Sequence, residues 1–230
     1  MKKSIYDVML ELPLFQGLSV EQFTGIIEKI PFSFEQYPAG EVIVRSDEDQ
    51  EHVTFVLSGK VRLRTPVFQG KIGVMQDFEA PFTAPFHYLF GVQNKSAIQL
   101  EAVSDTGVMR LEKSAFLDMV QGNRIILLHV LNMLSTLAQR RRCALDFLVE
   151  KQMEVRLAAW MLSVSHHKAL SMTVEAESQD LLDMLRMQSS DLWRSVAVLE
   201  GKGCVEECEG CLKLTDRYAL KHFVNANSRQ

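Results

Sequence analysis

The sequence predicts an α+β chain in three parts: a β-rich N-terminal domain, a long helix, and a helical C-terminal segment that closes on a β-hairpin. Three observations carry this. Between Pro31 and Leu111, short runs of alternating apolar and polar residues are separated by turn residues. From Arg124 onward, leucines recur at heptad spacing. Over residues 177–203 two short helical patterns meet at a tight turn, and a strand–turn–strand pattern follows. With 230 residues, 47% apolar and 23% charged, the chain has ordinary globular composition and the length for one or two domains.

Residues 1–30 read as helical. Leu10, Leu12, Leu14 and Phe15 surround Pro13, and Ser19 followed by Gln22 forms a capping-box signature ahead of Phe23, Ile26 and Ile27. The strands then follow in order. PFSFEQY ends at Pro38 and Gly40, EVIVR ends in the acidic loop 46–50, and HVTFVLSGKVRLR turns at Ser58 and Gly59. SAIQLEAV and GVMRLE are divided by the turn residues 104–107. Short strands at this spacing predict a sandwich or barrel-like β domain.

Lys113 and Ser114 open a helix, and a longer one begins around Arg124. Leu127, Leu134 and Leu148 share one heptad series with Arg141, while Leu131, Ala138 and Leu145 fill the second. A seam of three heptads predicts a helix that pairs with its own copy; a helix packed on its own domain would show the same pattern. A buried unpaired cation is costly, so Arg140, Arg141 and Arg142 should face solvent, a carboxylate or an anionic ligand.

EVRLAAWMLSVSHH (154–167) is an amphipathic helix. Two shorter helices then join around residues 186–188, with Ser189 or Ser190 as the cap of the second and Gly201 and Gly203 at its end. CVEECEGCLKL (204–214) reads as strand, Glu209–Gly210 turn, strand. Two helices with a tight turn, closed by a hairpin, form a winged helix-turn-helix layout.

The formal charge is −4 and the pI near 5.9, so any nucleic-acid role must rest on a local surface. The N-terminus lacks the apolar run of a signal peptide, and no window approaches the roughly 18 apolar residues of a membrane helix. The expectation is a cytoplasmic protein without membrane contact. Cys143, Cys204, Cys208 and Cys211 do not form a secreted disulfide framework, which predicts reduced thiols. No nucleophile–base pair, carboxylate pair or Gly-rich phosphate loop stands out, so no catalytic residues and no enzyme activity are expected.

Taken in order, these segments resemble the Crp–Fnr superfamily of bacterial transcription regulators over nearly the whole chain. LPLFQGLSVEQFTGII (12–27) looks like that family's opening helices. PAGEVIVRSDEDQEHVTFVLSGKVRLR (38–64) looks like its cyclic-nucleotide-type β-roll. Arg156 stands where the family commonly has an arginine at the start of its first DNA-domain helix. The resemblance implies a jelly-roll-like, double-stranded β-roll sensor over 1–112, a helical linker and dimerisation helix over 113–150, and a winged helix-turn-helix over 151–230.

In relatives that bind cyclic AMP, the phosphate cassette reads approximately Phe-x-Gly-Glu-Leu, then Arg-Ser-Ala. Here Ala84 takes the glycine place, Pro85 the glutamate place, Phe86 follows, and Lys95, Ser96 and Ala97 align with Arg-Ser-Ala. Pro85 accepts no ribose hydrogen bond and removes a backbone donor. Lys95 keeps the charge without the bidentate fork. Losing one charge-assisted bond in a buried site costs roughly 2 kcal/mol, over tenfold in affinity. The purine-contacting pair aligns with Arg141 and Arg142. An effector other than cyclic AMP is therefore expected, of unknown identity. No cysteine precedes Cys143, which disfavours an iron–sulfur sensor, and His52 and His87 read as packed residues rather than haem ligands.

By the resemblance, Gln188 to Glu200 is the DNA-recognition helix. Leu192, Val196 and Leu199 should pack inward, while Gln188, Ser189, Ser190, Asp191 and Arg194 face DNA together with Lys202. Arg194 is the leading candidate for a guanine or phosphate contact. Family members often carry Arg and Glu in place of Ser189 and Ser190, so their base preference does not transfer. Leu182 replaces a usual small residue, and Arg186 replaces a turn glycine, where a left-handed backbone costs about 1 kcal/mol. Residues 151–230 hold ten Lys/Arg against eleven Asp/Glu, net −1, which predicts modest non-specific DNA binding. Cys204, Cys208 and Cys211, with His222 as a fourth group, are weak zinc candidates beside redox-active or incidental cysteines, and no metal site is assigned.

The expected function is a homodimeric regulator that binds a palindromic double-stranded DNA operator, with RNA polymerase a further candidate partner. The rival reading is a degenerate sensor or scaffold acting through protein contacts without specific DNA binding.

Overall fold

The computed structural model describes residues 4–143 and 146–228. The chain forms two compact units, residues 1–63 with 78–137, and residues 64–77 with 138–230.

The first unit opens with two short helices, α1 (Ile5–Glu11) and α2 (Val20–Ile27), each closed by a capping box, Ser4 with Asp7 and Ser19 with Gln22. Strands β1 (Phe32–Tyr37), β2 (Val42–Val44), β3 (His52–Ser58) and β4 (Lys60–Val67) follow, then β5 (Ile72–Glu79), β6 (Phe82–Thr83), β7 (Gln99–Ala102) and β8 (Thr106–Glu112). One sheet has the order β1-β8-β3-β6 and the other runs β4-β7-β2, so β3 and β4, consecutive in the chain, lie in different sheets. This is the expected β-roll. The corner between them is Gly59 at φ +87°, where a Cβ would collide with the Asp105 carbonyl and lie 2.9 Å from Thr106 Cα.

Helix α3 (Lys113–Gly122) starts at the predicted residue, and α4 (Arg124–Cys143) is capped by Asn123, whose Oδ1 accepts from the Ile125 and Ile126 amides. Phe15, Phe23, Val53, Phe55, Met109, Leu111 and Phe116 build the core of this unit, and Ile126 and Val130 of α4 pack into it.

The opposite face of α4 leaves Leu127, Leu128, Leu131 and Leu134 between 38% and 50% exposed. The predicted seam is shorter than three heptads. Leu145 lies outside the described residues, and Leu148 sits in a 3₁₀ turn (Asp146–Val149) packed against the core of the second unit. The aromatic patch divides: Phe86 is buried, Phe82 stacks on Phe78 at 4.2 Å, and Phe90 is exposed.

The second unit contains α5 (Met153–Val164), β9 (Ser171–Glu175), α6 (Ser178–Leu185), α7 (Ser189–Gly201), β10 (Val205–Cys208), β11 (Cys211–Leu214) and α8 (Arg217–Asn227). Its sheet has the order β10-β11-β9-β5, the last strand coming from the hairpin of residues 64–77. Gln76 of that hairpin is buried; its Nε2 donates to Val164 O and its Oε1 accepts from the His166 amide. Ile72 and Val74 join Trp160, Met172, Val174 and Leu199 in one core.

Two left-handed glycines separate conformational cost from crowding. Gly40 has φ +88° with open space around its Cα, so Gly40→Ala should cost about 1 kcal/mol. Gly59→Ala should cost roughly 3 kcal/mol or more, because backbone must also move. Urea unfolding of both variants, followed by circular dichroism, checks the difference.

Candidate DNA-reading helix and effector cavity

The helix-turn-helix is set by buried leucines on both of its helices. Leu181 and Leu185 of α6 and Leu192, Val196 and Leu199 of α7 point inward, as the spacing predicts. Between them Arg186 adopts φ +53°, the left-handed turn expected where related sequences place glycine. Its strain is offset by Arg156. That guanidinium donates from Nε and Nη2 to Glu150 O (3.0 and 2.6 Å), and from Nη1 to Leu185 O (3.1 Å) and Arg186 O (3.2 Å). Carbonyls at the end of α6 have no partner within their helix, and a planar five-donor fork suits several of them at once.

The face turned to solvent carries Gln188, Ser189, Ser190 and Arg194. The cap expectation is corrected: α7 starts at Ser189, and Gln188 is the N-cap without a side-chain cap bond. Asp191 is half-buried and accepts from Arg194 at 2.6 Å. An exposed ion pair is worth at most about 1 kcal/mol, so the guanidinium is easily released to a phosphate or base edge. Lys202 is the exposed C-cap of α7. Sequence reasoning missed Trp193, which is 39% exposed beside Arg194. Ser190, Trp193, Arg194 and Ala197 share one face at three-to-four spacing, and that spacing was the available signal.

The wing is the β10–β11 hairpin, in register from Val205↔Leu214 to Cys208↔Cys211. Cys208 and Cys211 are joined by a disulfide across the Glu209–Gly210 turn, which corrects the expectation of reduced thiols. Cys204 stands apart, buried and unbonded, with its thiol pushed up by burial and by the nearby Asp216 carboxylate. Among the described residues no group of three or more His, Cys, Asp or Glu side chains could hold a metal ion. The zinc candidates Cys204, Cys208 and Cys211 therefore do not converge.

The residues expected around the effector are placed as follows. Lys95 is exposed, its backbone bridging to Asp49. Ser96 is buried, but its hydroxyl is taken up by Ile98 N and O at 3.3 Å. Phe86 packs edge-on against Phe116 at 5.5 Å, and Ala97 is half-buried. The Pro85 carbonyl accepts from Gln50 Nε2 at 2.8 Å. The side chains of Arg141 and Arg142 lie outside the described residues.

Ser96 lines a cavity of about 300 Å³, which is otherwise walled by Tyr37, Arg45, Gln50, Thr54 and Arg110 among others. Arg110 Nη2 donates to Tyr37 Oη (2.8 Å) and Ile43 O (2.7 Å), and Nη1 lies 3.5 Å from Glu35. Tyr37 in turn donates to Glu35, and its phenol is raised by burial and by that bond to the carboxylate. Among the described residues, two of the buried polar atoms without a protein partner belong to residues of this wall, Arg110 Nε and Gln50 Oε1. One donor and one acceptor left open at a cavity can hold a small polar molecule. Sequence reasoning missed Arg110; a cation inside the otherwise apolar strand GVMRLE was its signal.

Residues 34–123 match the family model described as the cyclic nucleotide-binding domain. Over the longer chain the fold is that of the catabolite activator protein of Thermus thermophilus, at 18% identity and TM-score 0.53, covering 93% of this chain and 99% of that one. A CooA mutant from Carboxydothermus hydrogenoformans aligns at 17% identity and TM-score 0.50, over 97% of each chain. No curated protein sequence matches this chain.

Replacing Arg156 by methionine should lower the stability of the second unit by about 2–3 kcal/mol, with lysine restoring only part. Trp160 and Trp193, the two tryptophans, both lie in that unit, so fluorescence-detected urea unfolding reads it directly. Tyr37 gives a pH prediction. A folded-state value raised above the ordinary 10.0 means that its contribution is complete below pH 10 and is lost as pH climbs through the raised value. Tyrosinate absorbance should show one late titration in the wild type that Tyr37→Phe lacks, and the stability gap between the two proteins should narrow over the same range.

Proposed function

We propose that this chain, which carries a cyclic nucleotide-binding-type domain and has the Crp–Fnr fold, is a DNA-binding transcription regulator that works as a homodimer. The observation that carries the reading is the outward face of α7, where Gln188, Ser189, Ser190, Trp193 and Arg194 stand free of the core behind a turn braced by Arg156. These side chains suit a major groove: Arg for guanine or phosphate, Gln and Ser for base edges, and the indole for a thymine methyl. No catalytic role belongs to the reading.

In this proposal residues 1–112 sense, 113–150 link and dimerise, and 151–230 read DNA. The leucine row of α4 is covered by the same row of a second copy. A dimer then presents two α7 helices about 34 Å apart, one duplex turn, to a palindromic operator. The effector biases that spacing by selecting one arrangement of the paired helices. RNA polymerase is the partner through which a bound regulator acts.

Cyclic AMP is not the effector in this reading. Pro85 offers nothing to a ribose hydroxyl, Lys95 points to solvent, and Ser96 is already engaged. The polar cavity walled by Gln50, Thr54 and Arg110 fits a small molecule that both accepts and donates.

The net charge of −1 over residues 151–230, together with the Asp191–Arg194 pair, favours one rival: a winged-helix protein acting through protein contacts alone. Selection of bound duplexes from a random pool separates the two. Enrichment of a palindrome is expected, and a pool that stays random sinks the regulator reading. Leu131→Lys with Leu134→Lys should convert a dimer to a monomer in sedimentation and weaken operator binding more than tenfold. Cyclic AMP should leave the melting temperature unchanged; a shift of several degrees would overturn its exclusion.

A further inference from the structure

The wing disulfide closes a loop of minimal size, with only Glu209 and Gly210 between Cys208 and Cys211 along the chain. A cross-link stabilises a fold chiefly by restricting the unfolded chain, and the effect shrinks with loop length. This hairpin is already held without it. Four register pairs join β10 to β11, four more join β11 to β9, and Val205, Leu212 and Leu214 are buried in the core. The bond therefore adds little as a staple. It is also reachable: both cysteines are part-exposed, and Glu209 and Gly210 at the turn are fully so. The third cysteine cannot interfere, because Cys204 is 1% exposed and its thiol is held protonated.

We propose that Cys208 and Cys211 form a reversible thiol–disulfide site, opened by a dithiol reductant that is neutral or basic around its reactive sulfur. In the reaction, a thiolate of the dithiol attacks one wing sulfur and the Cys208–Cys211 bond breaks. The departing cysteine thiolate takes up a proton. The second thiol of the reductant then attacks the mixed disulfide and releases the other wing cysteine. Two electrons pass to the wing, which ends as two thiols, and the reductant ends as its own disulfide.

The charge preference follows from Glu206, Glu207 and Glu209, all exposed within three positions of the sulfurs, against Lys213, which is already 3.6 Å from Glu206. An anionic thiol approaches such a turn against repulsion, and salt relieves it. The wing is also tied to the reading helix, since the Glu207 amide donates to the Glu200 carboxylate of α7 at 2.7 Å. Opening the cross-link leaves the strand pairing in place and releases only the turn beyond it, which begins one position after Glu207. The consequence for DNA affinity rests on the regulator reading above; the exchange chemistry does not.

The native full-length chain is treated with dithiothreitol, alkylated and weighed. Reduction should add two alkyl groups, on Cys208 and Cys211, to whatever the untreated protein takes up at Cys143, without loss of fold, while Cys204 stays unlabelled. A bond that yields only after the protein is denatured overturns the proposal. Reduction by glutathione should quicken severalfold with added salt, whereas reduction by the cationic thiol cysteamine should not; equal responses overturn the charge preference. Against the selected operator, reduced protein should bind severalfold more weakly than oxidised protein. The Cys208→Ser, Cys211→Ser double variant should match the reduced protein and ignore oxidant. Equal affinities of the two redox states refute the regulatory consequence. Absence of operator binding in both states counts against the regulator reading and leaves the labelling result standing.

Discussion

The geometry of the helix-turn-helix depends on one guanidinium. Arg156 gathers the carbonyls of Glu150, Leu185 and Arg186, which belong to two separate stretches of chain. Two of these lie where α6 ends and the chain must enter the left-handed turn before α7. Water would otherwise satisfy them, and water imposes no angle. A planar fork does, so the angle between the two helices is fixed by directional bonds as well as by leucine packing. That explains how the chain tolerates Arg186 where glycine would be easier. The turn is over-determined from outside, and a local preference against φ +53° is overridden.

The β-roll shows a different logic. Its outer face is closed by helices over an apolar core, while its cavity is organised around Arg110, Tyr37 and Glu35. The side chains near this wall are engaged within the protein: the Ser96 hydroxyl bonds to Ile98, two residues on, and the Pro85 carbonyl accepts from Gln50.

Much of this was legible in the residues, and the misses have physical causes. Capping boxes at Ser4 and Ser19, the inward series Leu192, Val196 and Leu199, and the hairpin turn at Glu209–Gly210 depend on neighbours within a few positions. Such short-range signals survive in a linear reading. Strand β5 was passed over because its inward series includes the polar Gln76 while the apolar Met75 faces the other side, so its alternating burial is not matched by alternating hydropathy. Helix α8 escaped although Asp216 caps it, being short and remote from any recognised motif. The residues of the polar cavity escaped for a different reason. Alignment predicts which positions are near a ligand, whereas Tyr37, Gln50 and Arg110 are brought together only by pairing of distant strands.

The partner of β9 comes from the far end of the sequence. Gly73 pairs with Glu175, about 100 positions away, and the hairpin carrying it supplies Ile72, Val74 and Gln76 to a core otherwise made from residues beyond 147. The second unit is consequently not a cassette that can be cut out at a single bond. A fragment beginning after the long helix would expose the edge of β9 and leave a void where two aliphatic side chains belong. Excision, domain grafting and fusion at that point would yield a sticky, unfinished sheet. For this protein the unit of transplantation is the whole chain.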